Sequence, residues 1–172
     1  MLKRVILDKL NEQLNHELQS AYVYYAMAGY FEGISLKGFA HWMTLQAQEE
    51  LTHVNRLFRY INDKGARVAL GDVPAPKGAW KSPLDAIQDA YNHECFVSEK
   101  INECVSAALA ENDHSTNTFL QWFVAEQVEE EAAADDVVQK LKLIGDHPSG
   151  LFMLDNELSK RTLGTDPAGS AE

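Results

Sequence analysis

Glu50 and His53 stand one helical turn apart in LQAQEELTHVNRL (residues 45–57), in line with Phe39, Met43, Leu57 and Tyr60. A carboxylate and an imidazole so spaced share one helix face and can ligate a single cation. Set in an apolar stripe, they need partners, because burying an unpaired ionised group is costly. Three other stripes are interrupted in the same way. Inward positions of a helical bundle follow a three-four spacing. In the first segment it gives Leu7, Leu10, Leu14, Glu17, Ala21, Tyr24, Ala28 and Phe31, and in the second Phe39, Met43, Gln46, Glu50, His53, Leu57 and Tyr60. In the third it gives Leu84, Ile87, Tyr91, Glu94, Ser98, Ile101, Val105 and Ala108. The fourth reads Leu120, Phe123, Gln127, Glu130, Ala134, Val137, Leu141 and Ile144. Each glutamate falls near its segment's midpoint.

Antiparallel packing of helices of similar length brings midpoints to one level. Glu17, Glu50, His53, Glu94 and Glu130, with Gln127, are therefore expected in one central layer. Four carboxylates buried together cannot all stay ionised without compensating cations. A pair of metal ions resolves the conflict. An oxygen-rich site with a single nitrogen ligand suits iron or manganese better than structural zinc, which usually has thiolate or more imidazole ligands. The other histidines fit this layer less well. His16 and His93 adjoin Glu17 and Glu94, yet neighbouring helix residues face about 100° apart. His41, His114 and His147 lie near segment ends and read as surface or capping residues.

The elements that must position these groups are four long periodic segments, from about Arg4 to Gly33, Lys37 to Lys64, Ser82 to Glu111 and Thr116 to Ile144. Gly65 closes the second, and Gly145 and Pro148 stop the fourth. Ser82 as N-cap, Pro83 at the first helical position and Asp85 in the first turn mark the start of the third. The stretch ARVALGDVPAPKGAWKS, with two prolines and two glycines, is too long and broken for a tight helical hairpin. Two short links and one long one select an all-α four-helix bundle with a crossover between helices two and three. A short fifth segment, SGLFMLDNELSKRTL, follows. One domain over residues 1–165 is expected, with a mobile polar tail over 166–172.

Composition narrows the function classes. The chain has 172 residues, enough for one well-buried domain, and carries a formal net charge of −11. That charge disfavours nucleic acid or an anionic membrane as partner and suits cations. No apolar run is long enough to span a bilayer, and the N-terminus lacks the apolar core of a signal peptide, so a cytoplasmic protein is expected. Cys95 and Cys104, nine residues apart on one helix, point to opposite sides and read as reduced structural thiols.

The Glu-x-x-His pair among carboxylates from three other helices is the pattern described for ferritin-like di-metal sites. With NHELQSAYVYY around Glu17, QEELTH around Glu50, Glu94, and FVAEQVEEE around Glu130, the chain resembles a bacterial non-haem ferritin over nearly its whole length. The resemblance implies iron storage, with Fe(II) oxidised by dioxygen at a di-iron ferroxidase centre and Fe(III) mineral laid down inside a shell of twenty-four subunits built from dimers. It implies one iron bound by Glu17, Glu50 and His53, and a second by Glu94 and Glu130, with Glu50 bridging and Gln127 in polar contact. Tyr24 matches a tyrosine beside the centre that hydrogen-bonds a ligand or donates an electron. Glu49, Glu126 and Glu129 match a third iron site.

Departures from related families sharpen the resemblance. Bacterioferritins have a second Glu-x-x-His on the fourth helix, where this chain has Glu130, and a haem-binding methionine after the bridging glutamate, where it has Leu51. Haem is therefore not expected. Gln46 stands where some bacterial relatives have a metal-binding histidine, which weakens the third site. STNTFLQW lacks the acidic pair of an animal-type iron channel. Leu18, Tyr22 and Tyr25 suit a dimer contact or the underside of the long link. The alternatives are a non-storing di-iron oxidase or peroxidase, and a metal-binding bundle without turnover.

Overall fold

A computed structural model of the chain describes residues 2–163, which form five helices and no strand. These are α1 (Arg4–Gly33), α2 (Lys37–Asp63), α3 (Pro83–Ala110), α4 (His114–Ile144) and α5 (Pro148–Leu158). The tail expected over 166–172, and the end of the expected domain at 165, lie outside the described residues.

Local chemistry fixes the start of α3 and both ends of α4. Ser82 accepts a hydrogen bond from the Asp85 N–H at 3.1 Å, with Pro83 opening α3 as expected. The α4 helix begins at His114, two residues before the expected Thr116. Asp113, the residue before it, is its cap: its carboxylate accepts from the Thr116 N–H at 3.0 Å and the Thr116 hydroxyl at 2.8 Å. Gly145, at φ +56°, closes the same helix in a conformation that costs glycine little.

α1 packs antiparallel against α2, and α3 against α4. The long link runs along α1, where the Ala69 N–H donates to Asn11 Oδ1 at 2.8 Å and the Gly71 N–H to Asn15 Oδ1 at 2.7 Å. It ends at Trp80, which is buried and donates to Asp89 Oδ2 at 2.8 Å. This is the expected crossover.

The core falls into two apolar blocks. One holds Ile6, Leu10, Leu14, Leu57, Ile61, Ile101, Leu120 and Phe123, and the other Phe31, Phe39, Met43, Ile87, Val138 and Leu141. Between them sits a layer of buried polar residues, Gln13, Glu17, Ser20, Gln46, Glu50, His53, Glu94, Gln127 and Glu130. All four expected stripes need correction: in α2 Tyr60 is half-buried beside the buried Ile61, and in α4 Ile144 is half-buried. In α1, Ile6 is buried and Leu7 only half-buried. In α3, Ala90, Val97 and Cys104 are buried where Tyr91, Ser98 and Val105 were expected, and these three are half-buried. The buried face of α3 is thus turned by one position along part of its length. Both cysteines are free, and burial pushes the Cys104 thiol up to about 12.

α5 seats on the start of α2. α2 has no side-chain cap of its own, and Asp155 of α5 supplies one, accepting from the Gly38 N–H at 2.8 Å and the Phe39 N–H at 3.1 Å. The backbones meet so closely that a Cβ on residue 38 would lie 1.6 Å from the Asp155 carbonyl oxygen.

Candidate metal centre

The mid-helix glutamates converge because antiparallel pairing places Glu17 of α1, Glu50 of α2, Glu94 of α3 and Glu130 of α4 in the single polar layer. All four are at most 5% exposed. His53, one turn on from Glu50, has its Nδ1 3.2 Å from Glu50 Oε2 and 4.0 Å from Glu17 Oε2. Glu17, Glu50 and His53 each offer a ligand atom within 4.8 Å of the others, the one such group of three or more among the described residues.

Glu17 Oε1 accepts from Gln13 Nε2 at 2.9 Å, while Glu17 Oε2 is buried with no hydrogen-bond partner. A buried carboxylate oxygen without a donor is strongly disfavoured unless a proton or a cation satisfies it. The carboxyls of Glu17 and Glu50 are pushed well above the usual range, first by burial and next by their carboxylate neighbours, Glu50 for Glu17 and Glu94 for Glu50. Three ligands on two helices, one nitrogen and two oxygens, fit a hard to borderline divalent cation.

The other two carboxylates are engaged differently. Glu94 Oε1 accepts from the Tyr24 hydroxyl, and its Oε2 accepts from Gln127 Nε2 at 3.0 Å. Burial, then Glu130, raises the Glu94 carboxyl to about 7. Glu130 Oε2 accepts from Gln46 Nε2 at 2.6 Å. A second pair of carboxylates thus lies across the layer, held by amide and phenol donors.

With this geometry in place, comparison with known proteins decides the family. The Ferritin family profile, for a ferritin-like domain, matches residues 7–144. The chain belongs to the ferritin family. A bacterial non-heme ferritin of Escherichia coli O6:H1 is 40% identical over 159 residues, covering 92% of this chain and 96% of that protein. One of Bacteroides fragilis is 37% identical and covers 94% of this chain and all of its own. Among solved structures, an open pore ferritin from Archaeoglobus fulgidus superposes with a TM-score of 0.93 at 48% identity, over 94% of this chain and 100% of that one.

The residues expected to form a third site in this ferritin are not gathered in the same way. Glu49 is bound by Arg161, its Oε2 2.5 Å from Nη2. Glu126 is half-buried, its carboxyl raised by burial against the opposing pull of His53, and Glu129 is exposed. His16 and His93 stay outside the centre, with His93 Nε2 2.7 Å from the Ser20 hydroxyl. Glu131, next to Glu130, accepts from the Ser98 hydroxyl.

Two participants escaped the sequence reading. Gln13 sits four residues before Glu17, a spacing that could have revealed it. Arg161 lies beyond α5 and carried no periodic signal.

Proposed function

We propose that this chain is the subunit of an iron-storing ferritin and oxidises Fe(II) with dioxygen at a two-metal centre. Glu17, Glu50 and His53 bind one Fe(II), Glu94 and Glu130 the other, and Glu50 bridges them. The observation that carries this reading is the buried layer of four glutamates and one histidine, with Glu17 Oε2 lacking any donor. Iron is the substrate, and a bound pair supplies two electrons to dioxygen. The chain contributes ligand charge, which favours the higher oxidation state, and walls that keep bulk water away. Cation binding displaces the protons that burial retains on Glu17 and Glu50. Gln127 and Tyr24 hold Glu94 in orientation from two sides.

Storage requires a closed shell, for which we infer twenty-four subunits built from dimers, with residues 1–165 as the folded unit. The exposed Tyr22 and Tyr25 on α1 suit a contact between copies. The cytoplasm suits this function, as do two free cysteines. No helix of the described residues is long and apolar enough to cross a membrane. Haem has no role in this reading. A third iron position at Glu49, Glu126 and Glu129 is secondary, because Glu49 already carries Arg161.

The test is to load the metal-free protein aerobically with Fe(II) and measure the iron that co-elutes with it on a sizing column. Many irons per chain in a particle of several hundred kilodaltons are expected. A small oligomer retaining only a pair of irons per chain would replace storage with a non-storing di-iron oxidase.

A further inference from the structure

One side of the centre is closed by a residue from outside the four-helix bundle. Among the described residues, α2 and α4 bring no pair of Cα atoms within 8 Å of each other. Side chains alone span the gap between them. At its middle, Gln46 of α2 donates through Nε2 to Glu130 Oε2 of α4 at 2.6 Å. Arg161, three residues past the end of α5, reaches into the same place. Its Nη1 donates to Gln46 Oε1, and its Nη2 donates to Glu49 Oε2 at 2.5 Å. The guanidinium lies 5.4 Å from the centre of the Trp42 ring, and the Arg161 carbonyl oxygen is 2.9 Å from His41 Nε2. The side chains of Arg161 and Glu49 are only 24% and 18% exposed, so solvent screens this ion pair less than an ordinary surface pair.

A guanidinium in this position has two consequences. An amide side chain has one accepting end and one donating end. With Gln46 Oε1 turned to Arg161, Nε2 must face Glu130, so the arginine orients a ligand it does not touch. The second consequence concerns Glu49. Its carboxylate is next in sequence to Glu50 and is neutralised from the α5 side by a fixed charge that cannot be titrated away.

We propose that Arg161 is a built-in cation of the metal centre, a positioning residue that keeps Glu49 from coordinating metal and sets Glu130 through Gln46. This rests on the reading of Glu17, Glu50, His53, Glu94 and Glu130 as ligands. A metal ion can use Glu49 only after the guanidinium leaves. The centre then takes two cations per chain and is closed to a third on its α2–α4 side.

The test counts Zn(II), which is redox-inert, bound by the full-length, assembled, metal-free protein, using titration calorimetry and metal analysis. The wild-type protein should take about two per chain, and Arg161→Gln about three, through one added site. Adding Glu49→Gln to Arg161→Gln should remove the gained site. A wild-type count of three, or an unchanged count in Arg161→Gln, overturns the proposal. A crystal of wild-type protein soaked in Zn(II) gives an independent check that needs no variant. Metal on Glu49 with Arg161 swung away overturns the proposal, and Arg161 still on Glu49 beside two filled positions supports it. If Glu50→Ala with His53→Ala binds as much Zn(II) as the wild type, the underlying centre is wrong instead.

Discussion

Glu17, Glu50 and His53 have ligand atoms within 4.8 Å of one another, with one carboxylate oxygen left without a donor. Glu94 and Glu130, across the same layer, give theirs to Tyr24, Gln127 and Gln46. The first position is assembled by folding alone, and its cost is mutual repulsion relieved by retained protons. The second is stabilised by hydrogen bonds that a cation must exchange. Preorganised but frustrated on one side, satisfied but engaged on the other, the two positions should fill in order, with the His53 side first.

The largest effect should come from removing that first position. Glu50→Ala with His53→Ala should slow the initial Fe(II) oxidation by more than ~100-fold, beyond what changes around a metal site usually cost, while the shell still assembles. Oxidation at the wild-type initial rate, followed by stopped-flow absorbance, would show that the centre lies elsewhere. Next, Glu130→Ala should remove the second position and leave the first. The Zn(II) count should fall from about two per chain to about one, with the tighter site kept. Loss of both sites together would mean that the positions are not separable. Tyr24→Phe takes one donor from Glu94 and should slow oxidation by roughly tenfold without changing the count, as outer hydrogen bonds to ligands generally do. An unchanged rate would reduce Tyr24 to a core residue.

The smallest effect concerns pH. Raised carboxyls bind more protons in the folded chain than in the unfolded one, so their stabilisation is present at low pH and is lost as pH climbs through their folded values. For Glu94 that window runs from 4.5 to about 7, and Glu17 and Glu50, both raised well above 4.5, act in the same sense. His93, lowered to about 4 from 6.5 by burial, works in the opposite sense, and its window is over by pH 6.5. As pH rises from 6.5 through about 7 the metal-free protein should therefore lose Tm, and Zn(II) should abolish the slope. A metal-free protein whose Tm rises over that range would contradict the assignment of buried, proton-retaining carboxyls.

The sequence carried the four helices, the crossover and the central glutamates, because each is a property of spacing along one chain segment. A glutamate in an apolar stripe is visible wherever the stripe is. The way the two carboxylate groups differ was not visible, because it depends on which donors cross between helices. Gln46 meets Glu130 from 84 residues away, and Arg161 meets Glu49 from 112. The rotation of α3 was missed for a related reason. Alanine at 86 and 90 and Cys104 signal burial weakly beside the larger Tyr91 and Val105.

Gly38 touches no ligand, yet the shape of its surroundings reaches the centre. The space beside its Cα is filled by the backbone of Asp155, and six residues later that strand of chain delivers Arg161. The fit at residue 38 acts as a datum from which the distal end of the chain is measured. An error of one methyl group there shifts the reference point for the guanidinium. Gly38→Ala should consequently open Glu49 to Zn(II) much as Arg161→Gln does, although it changes no charge. The metal capacity of the subunit would then be set in part by a hydrogen atom at the far end of the bundle.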